Sequence, residues 1–275
     1  MSVFRFKRFE IVNESSAMKV NTDGVLLGAA MTICPEDCRL LDIGTGTGTI
    51  ALMAAQRLMD MNGNSFFDSQ DDRENAHDDS IAASSEIKVC IDAIDIDAPS
   101  AAEAAANFRN SPWSAILHAH HASLDEFAAD TLSSLLQSPE RSERYDLIFS
   151  NPPYFEDSLT APDERKSTAR HTSDGLSYRD IFDFAAKRLT DIGRVSLVLP
   201  ADQEAAVCRY ARMSGLHLFR ILRIRTVPRK APSRMIVEFS RQRVHSAEDS
   251  LITIQNEGQY TQEYLSLTKD FYLFA

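Results

Sequence analysis

The chain has 275 residues, of which 44% are hydrophobic and 25% charged, so it can bury the core of one large α/β domain. Its formal net charge of −11 argues against a protein that coats nucleic acid non-specifically, because phosphate contacts need concentrated Lys and Arg. Four cysteines are too few for a disulfide framework, and no apolar run reaches the roughly 18 residues of a membrane span. The N-terminus lacks the apolar core of a signal peptide, so we expect a soluble, cytoplasmic protein. We also expect a monomer.

Short apolar runs alternate with helix-like segments through most of the chain, which is the pattern of βαβ units and a parallel sheet. The predicted strands are 39–43, 88–94, 115–120, 145–150, 193–199, 216–225 and 234–239. The predicted helices are 51–57, 99–109, 124–137, 178–189 and 202–213. We therefore expect an α/β fold with a seven-stranded, mostly parallel sheet, helices on both faces and a C-terminal hairpin antiparallel to the rest.

One stretch, residues 60–87, interrupts this pattern. It carries eight acidic residues and one Arg, with little that could be buried, and so supplies most of the net negative charge. We interpret it as a mobile surface insertion in a single domain spanning 1–275. A solvated loop is the simpler interpretation, and a regulatory or partner-binding role is the alternative.

The run LLDIGTGTG, residues 40–48, follows a predicted strand and opens a helix. Its glycines permit a tight turn and the close approach of a ligand to the backbone. Asp42 lies two residues before Gly44, where it would repel a dinucleotide pyrophosphate but attract a cofactor that carries an amine. S-adenosylmethionine has no phosphate, carries an ammonium and a sulfonium, and presents a carboxylate that backbone amides can hold. A tight turn without a ligand is the alternative.

The next predicted strand leads into Asp95 and Asp97. Asp95 stands where α/β folds bind a ribose diol through a carboxylate, whereas Asp97, before Pro99, suits a helix N-cap. Metal binding is not expected. Cys34 and Cys38 lack a second pair, and alternation along a strand directs neighbouring members of the histidine group to opposite faces. That group is His118, His120 and His121.

The segment DLIFSNPPY, residues 146–154, begins as a buried strand and breaks into a proline-fixed loop at the strand's carboxyl end, the edge at which open α/β sheets place active sites. An amine on an aromatic ring is a poor nucleophile, because its lone pair is delocalised into the ring. The Asn151 side-chain oxygen and the Pro152 carbonyl can each accept one N–H and favour a tetrahedral nitrogen. Pro153 stiffens the loop, and Tyr154 offers a face on which a base can stack.

Basic residues concentrate towards the C-terminus. Between Arg209 and Arg243 there are ten Lys or Arg residues and one acid, Glu238. We predict that the basic hairpin 216–241 contacts an RNA backbone, with a merely solvated hairpin as the alternative. A second basic segment follows the proline-fixed loop 151–154, here called the catalytic loop, and could hold the phosphates that flank a flipped base. The candidate RNA contacts are Arg165, Lys166, Arg170, Arg223, Arg225, Arg229 and Lys230.

Three segments beyond these motifs carry a resemblance: 4–10 with 16–28 near the N-terminus, 107–113 from the end of the predicted helix 99–109 towards the next strand, and 260–274 at the end. With the glycine and catalytic loops, they resemble the bacterial tRNA1(Val) adenine-37 N6-methyltransferases, within the class I Rossmann-like methyltransferases. The resemblance covers most of the chain except the acidic stretch. It implies S-adenosylmethionine as cofactor, tRNA as substrate and a segment 1–35 that packs over the cofactor.

The resemblance also implies residue roles. It places Lys19 and Asp23 near the cofactor pocket and Asp95 at the ribose, and it places Asp42, Gly44 and Gly46 at the methionine moiety. Asn151 and Tyr154 lie at the target base, with Asn151 also bordering the cofactor. One position departs, since Ser123 stands where these enzymes often have an Asp that contacts the cofactor's adenine. Either Ser123 accepts that hydrogen bond or Asp125 replaces it.

Two other functions remain open on the sequence. The Asn-Pro-Pro-Tyr motif serves amino-group methylation in general, so a protein glutamine or another nucleic acid is an alternative acceptor. A non-catalytic cofactor- or RNA-binding module is a second alternative. Against it, such a protein would not need paired hydrogen-bond acceptors beside a sulfonium.

Overall fold

The computed structural model describes residues 2–63, 89–129, 144–153 and 175–274. The strands within these ranges are β1 (Val3–Arg5), β2 (Glu10–Val12), β3 (Arg39–Ile43), β4 (Cys90–Asp95), β5 (Leu117–His121), β6 (Tyr145–Ser150), β7 (Leu189–Pro200), β8 (His217–Arg225), β9 (Arg234–Ser240), β10 (Glu248–Thr253), β11 (Gln255–Asn256) and β12 (Gln259–Tyr260). The helices are α1 (Thr22–Ala30), α2 (Thr49–Met61), α3 (Ala98–Arg109), α4 (124–129), α5 (Tyr178–Arg188), α6 (Glu204–Met213) and α7 (Gln262–Thr268).

The central sheet has the strand order β10-β8-β9-β7-β6-β3-β4-β5. Strands β5, β4, β3, β6 and β7 pair in parallel, β9 pairs antiparallel with both β7 and β8, and β10 pairs in parallel with β8. The predicted α/β fold and the C-terminal hairpin of β8 and β9 are thus confirmed. Of the hairpin's two strands, only β9 runs against the rest.

The predicted number of seven strands is wrong, because β10 adds an eighth at the edge of the sheet. Its sequence EDSLIT carries two acidic residues, and its side chains are exposed or half-buried except Thr253. An edge strand pairs on one side only, so it lacks the apolar run by which the buried strands were identified.

The core lies in two layers, one on each face of the sheet. Leu40 packs with residues of α1, α2 and α3, whereas the next residue, Leu41, packs with residues of α5 and α6. Strand β6 alternates in the same way, with Leu147 and Phe149 in the first layer and Ile148 in the second. This alternation is the period of a β-strand, and burial of both faces explains why these strands read as continuous apolar runs.

The N-terminal leader, defined here as residues 2–21, pairs β1 with β2 and then runs along α3. Its Phe6 ring stacks on Phe9 and on Tyr272 of the C-terminal segment, at centroid distances of 4.6 and 5.9 Å. The Lys7 backbone N–H donates to the Phe271 carbonyl at 2.8 Å. The two ends of the chain therefore pack on each other.

Most of the acidic stretch 60–87 lies outside the described residues, so its predicted mobility stays a prediction. The same holds for the second half of the predicted helix 124–137. Among the helices that the structure does describe, none has the length and hydropathy needed to cross a bilayer.

Candidate active site

The glycine loop, residues 44–48, connects β3 to α2 at the carboxyl edge of the sheet. Backbone N–H groups of Gly44 and Thr45 donate to the Ile94 carbonyl at 2.9 and 3.0 Å, which holds the loop against the end of β4. Positive φ angles of +72°, +56° and +81° occur at Gly44, Gly46 and Gly48. Glycine adopts this conformation without steric cost, which explains the G-x-G-x-G spacing.

Asp42, in β3, has no solvent-exposed surface. Its Oδ2 accepts the Thr45 hydroxyl at 2.7 Å, whereas Oδ1 is buried and has no hydrogen-bond partner among the described residues. Desolvation, reinforced by the charge of Asp95, raises the pKa of Asp42 to about 7, although hydrogen bonds from the Thr45 hydroxyl and the Ala51 backbone oppose the shift. An orphaned carboxylate oxygen beside a glycine loop is typical of a site that a cation or an ordered water completes.

Asp95, at the end of β4, braces the glycine loop. Its Oδ2 accepts the Gly46 N–H at 2.8 Å and its Oδ1 accepts the Asp97 N–H at 2.9 Å. Burial raises the pKa of this carboxyl against the lowering effect of both hydrogen bonds. Each carboxylate oxygen can accept a second bond, so the group remains able to bind a hydroxyl. Asp97 is the N-cap of α3, as predicted, since its carboxylate accepts the Ser100 N–H at 3.0 Å.

The leader lies over the glycine loop. A Cβ on Gly46 would meet the Ser16 hydroxyl at 3.4 Å and the Met18 carbonyl at 3.5 Å. On α3, the Glu103 carboxylate accepts the successive backbone N–H groups of Glu14, Ser15 and Ser16 at 2.9, 2.6 and 3.1 Å. These bonds fix the part of the leader that covers the loop.

Asn107, also on α3, joins the leader to the glycine loop. Its side chain accepts the Val12 N–H at 2.9 Å and donates to the Val12 carbonyl at 3.1 Å and the Thr47 carbonyl at 2.9 Å. Sequence analysis assigned no role to Glu103 or Asn107. The only sequence signal near them was the 107–113 segment, which contributed to the family resemblance. Their partners lie about 60 to 95 positions away for Asn107, and contacts at that separation cannot be inferred from spacing.

The catalytic loop begins at Asn151, directly after β6. The Ser150 hydroxyl donates to the Ile43 carbonyl at 2.6 Å, which places Asn151 beside the start of the glycine loop. Asn151 is 8% exposed, and its Nδ2 lies 3.4 Å from Asn21 Oδ1 and 3.8 Å from Met18 Sδ. Pro152 is buried as well. Met18 thus contacts Asn151 through its side chain and adjoins Gly46 through its backbone, so the two predicted motifs share one site.

Three predicted cofactor residues have other contacts in the structure. The Lys19 ammonium donates to the Glu14 carbonyl at 2.6 Å, and the Asp23 carboxylate pairs with Arg234 of β9 at 2.9 Å. The Ser123 N–H donates to the Glu126 carboxylate at 2.9 Å and the Glu126 N–H donates to the Ser123 hydroxyl at 3.2 Å, which is the capping box of α4. Their predicted roles at the cofactor stay predictions, as does that of the exposed Asp125.

Two predicted RNA contacts in the basic hairpin already have partners within the protein. Arg223 forms ion pairs with Glu204 at 2.6 Å and Asp249 at 3.0 Å, and hydrogen bonds to both raise its pKa. Arg225 donates to Thr253 at 2.8 Å and to the Pro228 carbonyl at 3.1 Å. These bonds occupy both guanidinium groups within the fold.

Two predicted RNA contacts at the turn between β8 and β9 differ from Arg223 and Arg225. Arg229 and Lys230 are exposed, and their side chains form no ion pair or hydrogen bond with the residues described. The turn follows the carboxyl end of β8, so it lies at the same edge of the sheet as the catalytic loop. The other candidates, Tyr154, Arg165, Lys166 and Arg170, lie outside the described residues.

Two of the three histidines of β5 have hydrogen-bond partners within the protein. His120 Nε2 lies 2.9 Å from Asp92 Oδ1, and His121 Nε2 lies 3.2 Å from the Ile96 carbonyl. Within the described ranges, no three His, Cys, Asp or Glu residues are grouped so that they could hold a metal ion.

Relatives of known name decide the family. A scan against protein-family models finds no match. The chain is 37% identical over 272 residues to the tRNA1(Val) (adenine(37)-N6)-methyltransferase of Parabacteroides distasonis, covering 98% of this chain and 97% of that one. It is 34% identical to the enzyme of the same name from Flavobacterium psychrophilum, covering 98% and 99%. The chain therefore belongs to the tRNA1(Val) (adenine(37)-N6)-methyltransferase family. The resemblance drawn from the leader, the 107–113 segment and the C-terminal segment is confirmed.

Solved structures support the fold. A crystal structure of a protein described as a predicted O-methyltransferase, from Agrobacterium tumefaciens, has a TM-score of 0.55 and 17% sequence identity and covers 90% of this chain and 96% of that one. At that identity the likeness concerns the fold alone. It agrees with the class I Rossmann-like architecture expected from the sequence.

Proposed function

We propose that this protein transfers a methyl group from S-adenosylmethionine to the N6 amine of an adenine in tRNA, with adenine 37 of tRNA1(Val) as the target. The observation that carries this proposal is the match along nearly the whole chain to enzymes of that name. The site supports it independently, since Asn151 and Pro152 lie beside a glycine loop with an acidic neighbour.

The glycine loop and its two acidic neighbours suit S-adenosylmethionine. Gly46 and Gly44 bring backbone to the ligand without a side chain, and the buried Asp42 carboxylate adds a negative field that favours a cation. Asp95 retains acceptor capacity for a ribose hydroxyl. The bound cofactor would supply a methyl group activated by its attachment to a sulfonium.

Asn151 and Pro152 prepare the nucleophile. If the Asn151 Oδ1 and the Pro152 carbonyl each accept one N–H of the amine, the nitrogen becomes tetrahedral and its lone pair is aimed at the methyl carbon. On transfer, this nitrogen would bond to the methyl carbon in place of sulfur, and the electron pair of the broken carbon–sulfur bond would stay with sulfur. The nitrogen then carries a positive charge and loses a proton to water, so no dedicated general base is required.

The tRNA would meet the edge of the sheet at which the catalytic loop lies. Arg229 and Lys230 are the first candidates for phosphate contacts, because they are exposed and their side chains are not engaged with any residue of the described ranges. Arg165, Lys166 and Arg170 would flank the target base, on which Tyr154 would stack, by their position in the sequence after Asn151. Arg223 and Arg225 are weaker candidates, since their guanidinium groups already have protein partners.

The proposal is tested by methyl transfer to unmodified tRNA with the wild-type protein, Asn151→Ala and a matched control, Asn256→Ala, whose side chain is exposed on β11. Loss of the amide should lower kcat by about a hundredfold or more, in the range seen when one aligned hydrogen-bond partner of a transition state is removed. The control should retain wild-type kcat. Full activity in Asn151→Ala, or label in a protein but not in tRNA, would contradict the proposal.

A further inference from the structure

Asn21 of the leader contacts the catalytic loop, and its own hydrogen bonds are unambiguous. Its Oδ1 accepts the backbone N–H of Gly24 at 2.8 Å as the N-cap of α1. A backbone N–H can only donate, so the atom that faces it must be the oxygen of the Asn21 amide. The amide nitrogen donates to the Lys19 carbonyl at 3.1 Å, which agrees with that assignment.

This arrangement fixes the polarity of the neighbouring Asn151 amide. The Asn21 oxygen lies 3.4 Å from one end of that amide, and the Met18 sulfur lies 3.8 Å from the same end. Both atoms accept hydrogen bonds and neither can donate. The end of the Asn151 amide that faces the leader must therefore be its NH2 group, and the planar amide places Oδ1 on its other branch.

We propose that Asn21 is a positioning residue for methyl transfer, which sets the orientation of the Asn151 amide so that an oxygen, not an NH2 group, is presented to the substrate amine. This inference rests on the proposed function. The target amine brings two N–H donors, and a flipped Asn151 would oppose them with two donors of its own. Acceptance of the amine by Asn151 thus depends on an acceptor that the leader supplies, 130 positions away in the chain.

Two substitutions of Asn21 separate this role from helix capping. Asn21→Ser keeps a good N-cap for α1 but is too short to reach Asn151 as well. Asn21→Asp keeps the N-cap and an oxygen facing Asn151, so it should restore the orientation that Ser loses. Thr22→Ala alters an exposed neighbour in the same helical turn and serves as the control.

The experiment measures kcat and both KM values for N6-methyladenosine formation in tRNA, with the thermal midpoint of each variant recorded. We expect Asn21→Ser to lower kcat about tenfold or more, with KM for S-adenosylmethionine and for tRNA within about twofold of wild type, because only the alignment of the amine changes. Asn21→Asp should recover most of the wild-type kcat. Thr22→Ala should match wild type.

Wild-type kcat in Asn21→Ser, or a fall in Asn21→Asp as large as in Asn21→Ser, would overturn the inference while leaving the proposed function intact. If Asn21→Ser is too unstable to assay, Asn21→Gly, which also caps a helix but has no side-chain acceptor, takes its place in the comparison with Asn21→Asp. A wild-type protein that forms no N6-methyladenosine in tRNA would instead contradict the proposed function, and this inference with it.

Discussion

The Asp95 carboxylate accepts the backbone N–H of Gly46 at 2.8 Å and so ties the end of β4 to the glycine loop. Asp95→Ala would remove this brace together with the proposed ribose contact. A hydrogen bond to a charged group contributes about 1.5–3 kcal/mol, so we expect the Kd for S-adenosylmethionine to rise at least about tenfold. Isothermal titration calorimetry measures the change. Asp97→Asn, which keeps the N-cap of α3, should bind with nearly wild-type affinity. An unchanged Kd in Asp95→Ala would show that the brace is dispensable.

Asp42 predicts a pH dependence of cofactor binding. Burial raises the pKa of this carboxyl to about 7, so its proton is bound below that pH and released above it. A cationic ligand favours the carboxylate, and the apparent affinity scales with the fraction in the competent form. Affinity for S-adenosylmethionine should therefore increase about tenfold between pH 6 and pH 8, with proton release on binding at pH 6.

The Asp42→Asn variant is the control for this titration, because its amide cannot ionise in the range. Its affinity for S-adenosylmethionine should be lower than that of wild type at pH 8 and should change little with pH. A flat profile in the wild-type protein, or the same slope in both proteins, would exclude Asp42 as the titrating group.

The basic hairpin predicts two distinct phenotypes. Arg223→Ala breaks ion pairs with Glu204 and Asp249 that are only partly buried, so we expect a loss of about 1 kcal/mol in the free energy of unfolding. The double variant of Arg229→Ala and Lys230→Ala should keep wild-type stability. Instead it should bind tRNA more weakly. The slope of log Kd against the logarithm of the salt concentration should fall by about 1 for each cation that contacts a phosphate.

Urea denaturation and tRNA titration at several salt concentrations measure these effects in the same set of proteins. Equal salt slopes for the double variant and the wild type would exclude the turn between β8 and β9 as the RNA-binding surface. A larger tRNA defect in Arg223→Ala than in the double variant would mean that Arg223 leaves its acidic partners to bind RNA.

The hydrogen bonds from the leader to Glu103 predict that substitution of Glu103 detaches this part of the leader from α3. Glu103→Ala leaves three successive N–H groups of 14–16 without their acceptor, and these residues border the part of the leader that covers Gly46. Hydrogen exchange at Glu14, Ser15 and Ser16 should accelerate at least about tenfold, since local opening becomes easier. Affinity for S-adenosylmethionine should fall as well. Glu36→Ala, at an exposed site, is the control. Unchanged exchange in Glu103→Ala would show that other contacts hold the leader.

The sequence predicted best the strands that are buried on both faces. β3 and β6 have the predicted bounds, because a continuous apolar run between turn residues is unambiguous there. Strand β7 begins four residues earlier than predicted, at Leu189, since its polar start TDI does not resemble a buried strand. Helix α1 was missed, because seven of its nine residues are buried and no polar face marks a helical period.

Within the site, the sequence predicted the motifs but not what supports them. The residues proposed to bind or react lie in short runs whose spacing is informative, such as 42–48 and 151–153. Asn21, Glu103 and Asn107 act across 60 to 130 positions, a distance at which pattern carries no signal. For the same reason the hairpin arginines were interpreted as free, since the partners Glu204 and Asp249 come from outside the basic segment.

The most direct test of the account is transfer of labelled methyl from S-adenosylmethionine to unmodified tRNA1(Val), followed by nucleoside analysis and mapping of the labelled position. The account predicts N6-methyladenosine as the labelled nucleoside, at position 37, and its absence when Asn151 is replaced by Ala. Label in another nucleoside, or no label in tRNA from a protein that binds S-adenosylmethionine, would contradict it.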